Sequence, residues 1–475
     1  MLMRTRPANP AVLFSAGLTT VVMGLAFGLI GASSCLAEEP APKPNIIFIL
    51  ADDLGYADLG CYGQRHFETP HLDRMAAEGM RFTQHYAGST VCAPSRACLL
   101  AGKHTGHVTQ RVNGSLQFPE DPVDVCVARL LKRVGYTTAL IGKSGLSCNS
   151  ADGGLPQRKG FDEFFGYTSH VRAHRYFPEW LWRNGEKVEL PRNQEQSGVH
   201  YSGDLFMKET EEFLRANAEG PFFLHLALQQ PHADLNVPGE WRERFLGRYD
   251  EVPFKGGHYR AEENPKATFA GMVAYLDNAV GRVLDQLRVL GIERDTLVIF
   301  SSDNGPMSEG GWDKRYFDSN GPLRGGKRDL YEGGVRVPTI AWQPGVVQEG
   351  SETDHVSAFW DFLPTACELA GAPIPDDTDG ISYAPTLTGQ GDQQEHDWLY
   401  WEFYERGGKQ AVRYGNWKGV RLGMGANRKP LELYDLATDL GERNNVAAEH
   451  PEVVARLEQI MREANTPVGE YRMEE

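Results

Sequence analysis

The sequence predicts an α/β protein with a large, doubly wound, mixed but mainly parallel sheet flanked by helices. A smaller C-terminal antiparallel sheet with a packed helix follows it. Three observations carry this expectation. The runs at 45–53, 136–142, 221–228 and 296–305 have the unbroken apolar character of strands buried on both faces. Amphipathic helical patterns lie between such runs. After residue 386 the texture changes to short alternating runs separated by turn residues.

In chain order, residues 1–37 read as an export signal. Arg4 and Arg6 lead an uncharged stretch from Ala11 to Gly31, and small residues precede Glu38, which suits cleavage after Ala37. The rivals are an uncleaved anchor, because the stretch is long, and lipidation at Cys35, whose "ASSC" context lacks the usual leucine. No later run is long and apolar enough to span a bilayer. The expected location is therefore periplasmic or secreted, with no stable membrane span after cleavage. The expected division is an α/β domain over 38–390 and a C-terminal subdomain over 391–475.

"NIIFILADD" (45–53) opens the sheet. "VCVARLLKRVG" (125–135) is an amphipathic helix leading into the strand "YTTALIG" (136–142). "PFFLHLAL" (221–228) is a third core strand. "ATFAGMVAYLDNAVGRVLDQLRVLG" (267–291) is a long amphipathic helix that Gly291 stops. "TLVIFSSDNG" (296–305) repeats the opening design, an apolar run ending in acid. The stretches 147–203 and 305–337 read as long loops, a length that usually carries function. Beyond the polar "TGQGDQQEHD", the runs 398–404, 410–415, 417–423 and 431–436 form a meander. "PEVVARLEQIMREAN" (451–465) closes the chain as a helix with Pro451 in its first turn.

The formal net charge is −16, and losing the signal would remove two of the arginines and no acid. A nucleic-acid partner is excluded on this balance, since phosphate binding needs a basic face. An anionic substrate would need a locally positive pocket. The seven cysteines show no zinc-ribbon or CxxC spacing. Cys92 stands out, because Pro94, Ser95 and Arg96 follow it so closely.

Two apolar runs end in Asp52-Asp53 and in Asp303-Asn304. Singly, each is an ordinary loop start or turn. In open α/β sheets, sites form at the carboxyl ends of strands. If these two ends are neighbours, three carboxylates and an amide make an all-oxygen nest for a hard cation, Ca²⁺ or Mg²⁺, not zinc.

"CAPSRACLLAG" resembles the C-x-P-S-R signature of type I sulfatases of the alkaline-phosphatase superfamily. "NIIFILADDLGYADLGCYG", "GYTTALIGKSG", "SSDNGP", "GPLRGGKRDLYEGGVRVP" and "LELYDLATDLGERNNVA" are similar to further segments of that family, so the resemblance runs from about residue 44 to 465. It implies hydrolysis of organic sulfate monoesters, of sulfated carbohydrate or aryl sulfate. It implies that a maturation enzyme oxidises Cys92 to formylglycine, and that Asp52, Asp53, Cys92, Asp303 and Asn304 surround a Ca²⁺, with Mg²⁺ the alternative. It has Arg96 steady the modified side chain, places Lys143 and Lys327 as fixed cations around the sulfuryl group, and puts His232 on the ester oxygen as general acid. The hydrated aldehyde supplies one hydroxyl to attack sulfur and a second whose deprotonation expels sulfate.

The chain departs from the family in one place. Many members read G-K-W-H-L-G, whereas this chain reads Gly142-Lys143-Ser144-Gly145-Leu146-Ser147. Glycine replaces the histidine that assists collapse of the sulfo-enzyme. His174, with His170 as second choice, is the expected replacement, from "SHVRAHRYFPEWLWRNGE" (169–186). Tyr167, Tyr176, Phe177, Trp180 and Trp182, in the stretch 167–182, are candidates either for stacking on sugar faces or for packing the loop. The alternatives are a phosphonate or phosphate ester hydrolase of the same superfamily and a catalytically impaired sulfate-binding homologue.

Overall fold

The computed structural model describes residues 43–113, 125–146, 155–194 and 197–467. The export segment with Cys35, and Ser147 and Cys148, lie outside the described residues.

In chain order the strands are β1 (Asn45–Ala51), β2 (Met80–Phe82), β3 (His85–Tyr86), β4 (Thr137–Lys143), β5 (Glu163–Tyr167), β6 (Trp180–Arg183), β7 (Glu186–Glu189), β8 (Phe222–Ala227), β9 (Thr296–Ser302), β10 (Thr339–Trp342), β11 (Ser351–Thr353) and β12 (Ser357–Ala358). β3 and β12 pair as a short ribbon, and the others form one sheet in the order β11-β2-β10-β9-β1-β8-β4-β5-β6-β7. Its centre, β9-β1-β8-β4-β5, is parallel, while β10, β6 and β7 join antiparallel. The expected mixed, mainly parallel sheet is present.

The helices are α1 (Pro70–Ala77), α2 (Cys92–Ala101), α3 (Val127–Arg133), α4 (Ser202–Ala216), α5 (Gly239–Glu243), α6 (Pro265–Leu290), α7 (Glu332–Val335), α8 (Phe362–Ala370), α9 (Ala384–Thr388) and α10 (Pro451–Glu463). Gly291 ends α6 in the left-handed conformation, at φ 71°. Alternation along β1 builds the layers. Ile46, Phe48 and Leu50 pack with Leu100 of α2, Leu131 of α3 and Phe362 of α8. Ile47, Ile49 and Ala51 pack with Leu72 of α1, Phe206 of α4 and Met272 of α6. A strand buried on both faces has no polar side to show, which is why its sequence reads as an unbroken apolar run.

One expectation is corrected. The stretch 147–203, read as loop, contains β5, β6 and β7, which extend the sheet. β6 and β7 form a hairpin whose Asn184-Gly185 turn has φ 49° and 90°. An Asn-Gly pair with both residues left-handed is the two-residue turn that suits strand twist. That dipeptide was the available signal.

The C-terminal meander is β13 (Leu399–Phe403), β14 (Lys409–Tyr414), β15 (Trp417–Leu422) and β16 (Glu432–Asp435), antiparallel throughout. Tyr400, Val412 and Leu433 face Leu457, Ile460 and Met461 of α10. Leu399, Trp401 and Val420 on the other face join the core of the main sheet. Lys418 of β15 forms a fully buried ion pair with Glu332 of α7, at 2.7 Å. Among the described residues no helix is long and apolar enough to cross a membrane.

Candidate active site

β1 and β9 are adjacent and in register, with Ala51 opposite Ser302. The residues that follow them therefore emerge side by side. Asp52, Asp53, Asp303 and Asn304 are all buried. Asp53 turns the chain with φ 63°, a left-handed conformation that aspartate tolerates. Its N–H donates to Asp303 Oδ1 at 3.2 Å. Asn304 Nδ2 donates to Asp53 Oδ1 at 2.8 Å, which leaves Asn304 Oδ1 buried with no hydrogen-bond partner. A buried amide oxygen without a donor, beside three carboxylates, fits a hard divalent cation.

Cys92 is the first residue of α2 and has no exposed surface. Its Sγ lies 3.4 Å from Asp52 Oδ1 and 3.9 Å from Asp53 Oδ1. Burial pushes the thiol well above its ordinary range despite the nearby Lys143 and Lys327. The group is thus a protonated thiol at neutral pH and a poor nucleophile as it stands.

Three cations balance the acids. One turn along α2, Arg96 donates through Nε and Nη2 to Asp303 Oδ2 at 3.0 and 2.7 Å, and through Nη1 to the Lys143 carbonyl at 2.9 Å. Lys143, the last residue of β4, donates to Asp52 Oδ2 at 2.6 Å. Lys327 donates to Asp53 Oδ2 at 2.7 Å and lies 3.1 Å from His232 Nε2. Burial alone would raise the Asp52 carboxyl; Lys143, His232 and Arg96 outweigh it and hold the group well below the usual range. For Asp303 burial wins, and the Asp52 charge adds to it, so that carboxyl is raised. His232 Nδ1 contacts the Ala233 carbonyl, so in the neutral ring Nδ1 carries the proton and Nε2, facing Lys327, is the basic nitrogen.

The loop histidines reach this site. A single 3₁₀ turn, Arg172–His174, presents His174, whose ring stacks on His232 at 4.2 Å and 18°. The His170 ring lies 5.5 Å from that of His174. His174 Nε2 and His170 Nδ1 are both buried without a partner. Burial lowers both histidines well below the usual range; for His174 the His232 charge adds to it, and for His170 the Lys143 charge does.

Other members of the site were not legible in the sequence. Tyr176 is not a sugar platform: it is fully buried, and its hydroxyl bonds the carbonyls of Gln229 and His232 at 2.8 and 2.7 Å. It fixes the turn that carries His232. Tyr167 is likewise buried. Trp180 is covered by Arg172, whose Cζ lies 3.9 Å from its ring.

A chain of polar contacts runs beside the pocket. The Tyr259 ring lies near both His174 and His232, and its hydroxyl donates to Glu309 at 2.7 Å. Arg328, next to Lys327, donates to Glu309 at 3.4 Å and lies 3.9 Å from Glu405. Glu405 accepts the Asn113 N–H, and Asn113 Oδ1 accepts the N–H of Ala93, beside Cys92.

A second group, His104, His107 and Asp379, has metal-like proximity. His104 Nδ1 accepts the Gly106 N–H, so in the neutral ring Nε2 carries the proton and faces Asp379. That tautomer offers a metal no free lone pair, since Nε2 is protonated and lies 3.6 Å from Asp379, outside hydrogen-bond distance.

Residues 44–372 match the family model described as Sulfatase. The chain belongs to the sulfatase family. Residues 324–466 also match the model described as N-sulphoglucosamine sulphohydrolase, C-terminal. The sulfatase is 33% identical to human arylsulfatase A, over 88% of this chain and 87% of the relative. It is 32% identical to mouse steryl-sulfatase, over 91% and 84%. Among solved structures it resembles Ps i-CgsB in complex with k-i-k-neocarrahexaose, with TM-score 0.77 and 27% identity over 89% and 94% of the two chains. The protein is thus an enzyme that hydrolyses sulfate esters. Family members use a metal and a formylglycine, and in this sulfatase Asp52, Asp53, Cys92 and His232 form a buried cluster close enough together to hold a metal ion.

Proposed function

We propose that this sulfatase hydrolyses sulfate monoesters of carbohydrate, with residue 92 converted to formylglycine. The observation that carries the reading is Cys92 at a helix start, buried against Asp52 and Asp53 and enclosed by Arg96, Lys143 and Lys327. In its oxidised form residue 92 would supply a geminal diol as nucleophile. A hard divalent cation, Ca²⁺ ahead of Mg²⁺, would be held by Asp52, Asp53, Asp303 and Asn304 and would polarise the reacting oxygens.

The other roles belong to the chain's own side chains. Lys143 and Lys327 supply fixed positive charge to the sulfuryl oxygens. Arg96 is a positioning residue, because both edges of its guanidinium are already engaged by Asp303 and Lys143. His232, through Nε2, protonates the leaving oxygen. His174 Nε2, buried and unpartnered, takes the proton that the histidine missing at Gly145 would take, with His170 behind it. The rim of Tyr259, Glu309, Arg328, Glu405 and Asn113 is polar, and its carboxylates accept hydroxyl hydrogens. Such a rim suits a sugar leaving group better than a sterol.

Cys92, Pro94 and Arg96 are buried after folding, so the maturation enzyme would have to read them on an unfolded chain. Residues 1–37 would direct export to the periplasm or beyond. The test is mass spectrometry of the peptide containing Cys92, beside turnover of sulfated sugars, aryl sulfate and phosphate esters. An aldehyde at residue 92 with preference for sulfated sugars supports the reading. Full turnover by protein with unmodified Cys92, or preference for phosphate diesters, overturns it.

A further inference from the structure

Away from the catalytic pocket, a groove of about 580 Å³ lies among the loop ahead of α1, the α5 region and α6. Arg65, Arg244 and Arg248 line it, together with Trp241 and Phe245. Arg65 comes from the loop ahead of α1, and Arg244 and Arg248 from the turn after α5. All three arginines are exposed. Their neighbours are matched: Arg74 pairs with Asp285, Arg242 with Glu262 and Arg288 with Glu78. Arg65, Arg244 and Arg248 form no ion pair among the described residues. In a chain of net charge −16, carboxylates are plentiful. Three unmatched guanidiniums converging on one recess therefore make a local reversal of the global field.

Two of the guanidiniums are already ordered. Arg244 Cζ lies 3.8 Å from the Trp241 ring centre, and Arg248 Cζ lies 5.1 Å from that of Phe245. Stacking restrains the planar group and leaves its N–H edge to meet tetrahedral oxyanions. Tyr275 packs edge-on to Trp241 at 5.4 Å, so this indole already has two neighbours. The groove reads charge more than it stacks sugar. Two carboxylates also line it. Asp277 is buried and accepts the N–H groups of His71 and Leu72 at the start of α1. Glu68 is the exposed acid of the lining.

We infer that this groove is a second binding site for sulfated glycan, which holds a segment of polymer outside the catalytic pocket. A single sulfate would engage one guanidinium; three spaced around a recess call for several anionic groups on one chain. The choice of sulfated glycan rests on the catalytic reading above, whereas the anion binding does not.

Dextran sulfate is the probe, with unsulfated dextran of equal length and polygalacturonate as the carboxylate polymer, titrated calorimetrically into full-length protein at about 0.1 M salt. Exposed ion pairs are worth roughly two- to fivefold each. The variant carrying Arg65→Gln, Arg244→Gln and Arg248→Gln should bind dextran sulfate about tenfold or more weakly, with turnover of a small aryl sulfate unchanged. Glu68→Gln removes the exposed opposing charge and should bind about twofold tighter. Equal affinity of wild type and the triple variant overturns the inference. So does binding of dextran or polygalacturonate as tight as that of dextran sulfate. Arginine-dependent binding in a protein without sulfatase turnover would sink the catalytic reading and leave the groove standing as an anion site.

Discussion

A β-carbon built on Gly145 would lie 2.4 Å from Arg96 Cδ. Gly145 also has φ +67°, a conformation that L side chains adopt at a cost. Arg96 cannot yield, because Asp303 and the Lys143 carbonyl hold its guanidinium. The family's usual histidine therefore does not fit this backbone, and the proton acceptor has to arrive from another segment.

Gly145→His should not restore a base. It should displace Arg96 from Asp303 and lower kcat about 100-fold or more, since small displacements of site groups carry that penalty. It should also cost about 2–4 kcal/mol of stability from strain and overpacking. Turnover of an aryl sulfate and denaturant unfolding check both.

His174→Ala should lower kcat about 100-fold, the usual contribution of general base catalysis. Because the base acts after sulfuryl transfer, sulfated enzyme should accumulate and be visible by intact-protein mass spectrometry. His170→Ala should have a smaller effect. Normal turnover in both single variants would remove these histidines from the mechanism.

Chelation should inactivate the enzyme and lower its melting temperature, because Asp52, Asp53 and Asp303 are buried together. Asn304→Ala removes one oxygen donor and should weaken Ca²⁺ binding about 10-fold or more, read directly by calorimetry. Equal affinity in the variant would argue against Asn304 as a ligand.

Burial pushes the Asp58 carboxyl up to about 7. The folded protein then holds a proton that the unfolded chain releases near pH 4. Stability should fall as pH rises from about 4 through 7, by on the order of 4 kcal/mol from this group. Asp58→Asn should flatten that slope. Urea midpoints measured from pH 4.5 to 8, approximate limits set by the same pKa window, check it.

Glu332 holds Lys418 at 2.7 Å and Arg336 at 3.3 Å, all buried or nearly so. Burial would raise its carboxyl, but Lys418, Arg336 and Arg413 bring it down to about 2. Glu332→Gln should therefore cost about 3–5 kcal/mol by stranding Lys418 in the core. Adding Lys418→Met should recover much of that loss, measured as unfolding free energy in a double-mutant cycle.

The central strands and long α6 were legible because burial on both faces, or on one helical face, leaves a periodic trace in the sequence. The metal-like acids were legible because two apolar runs ended alike. The β6–β7 hairpin was missed inside a stretch judged by its composition, although Asn184-Gly185 marked it. Tyr176 was open in the sequence between stacking on a sugar and packing the loop, and the structure makes it a buried support for the His232 turn. The rim of Tyr259, Glu309, Arg328, Glu405 and Asn113 draws on five distant segments, and no local pattern joins them.

By itself the sequence determined the family and the layered α/β architecture and marked Cys92 as the expected reactive residue, since strand burial and a dense signature are local properties of the chain. Tertiary structure alone decided that Arg96 fills the space beside Gly145, that His174 stacks on His232, and that three unmatched arginines share one groove. These are distances between residues far apart in the chain, and a distance exists only once packing has closed the loops between them.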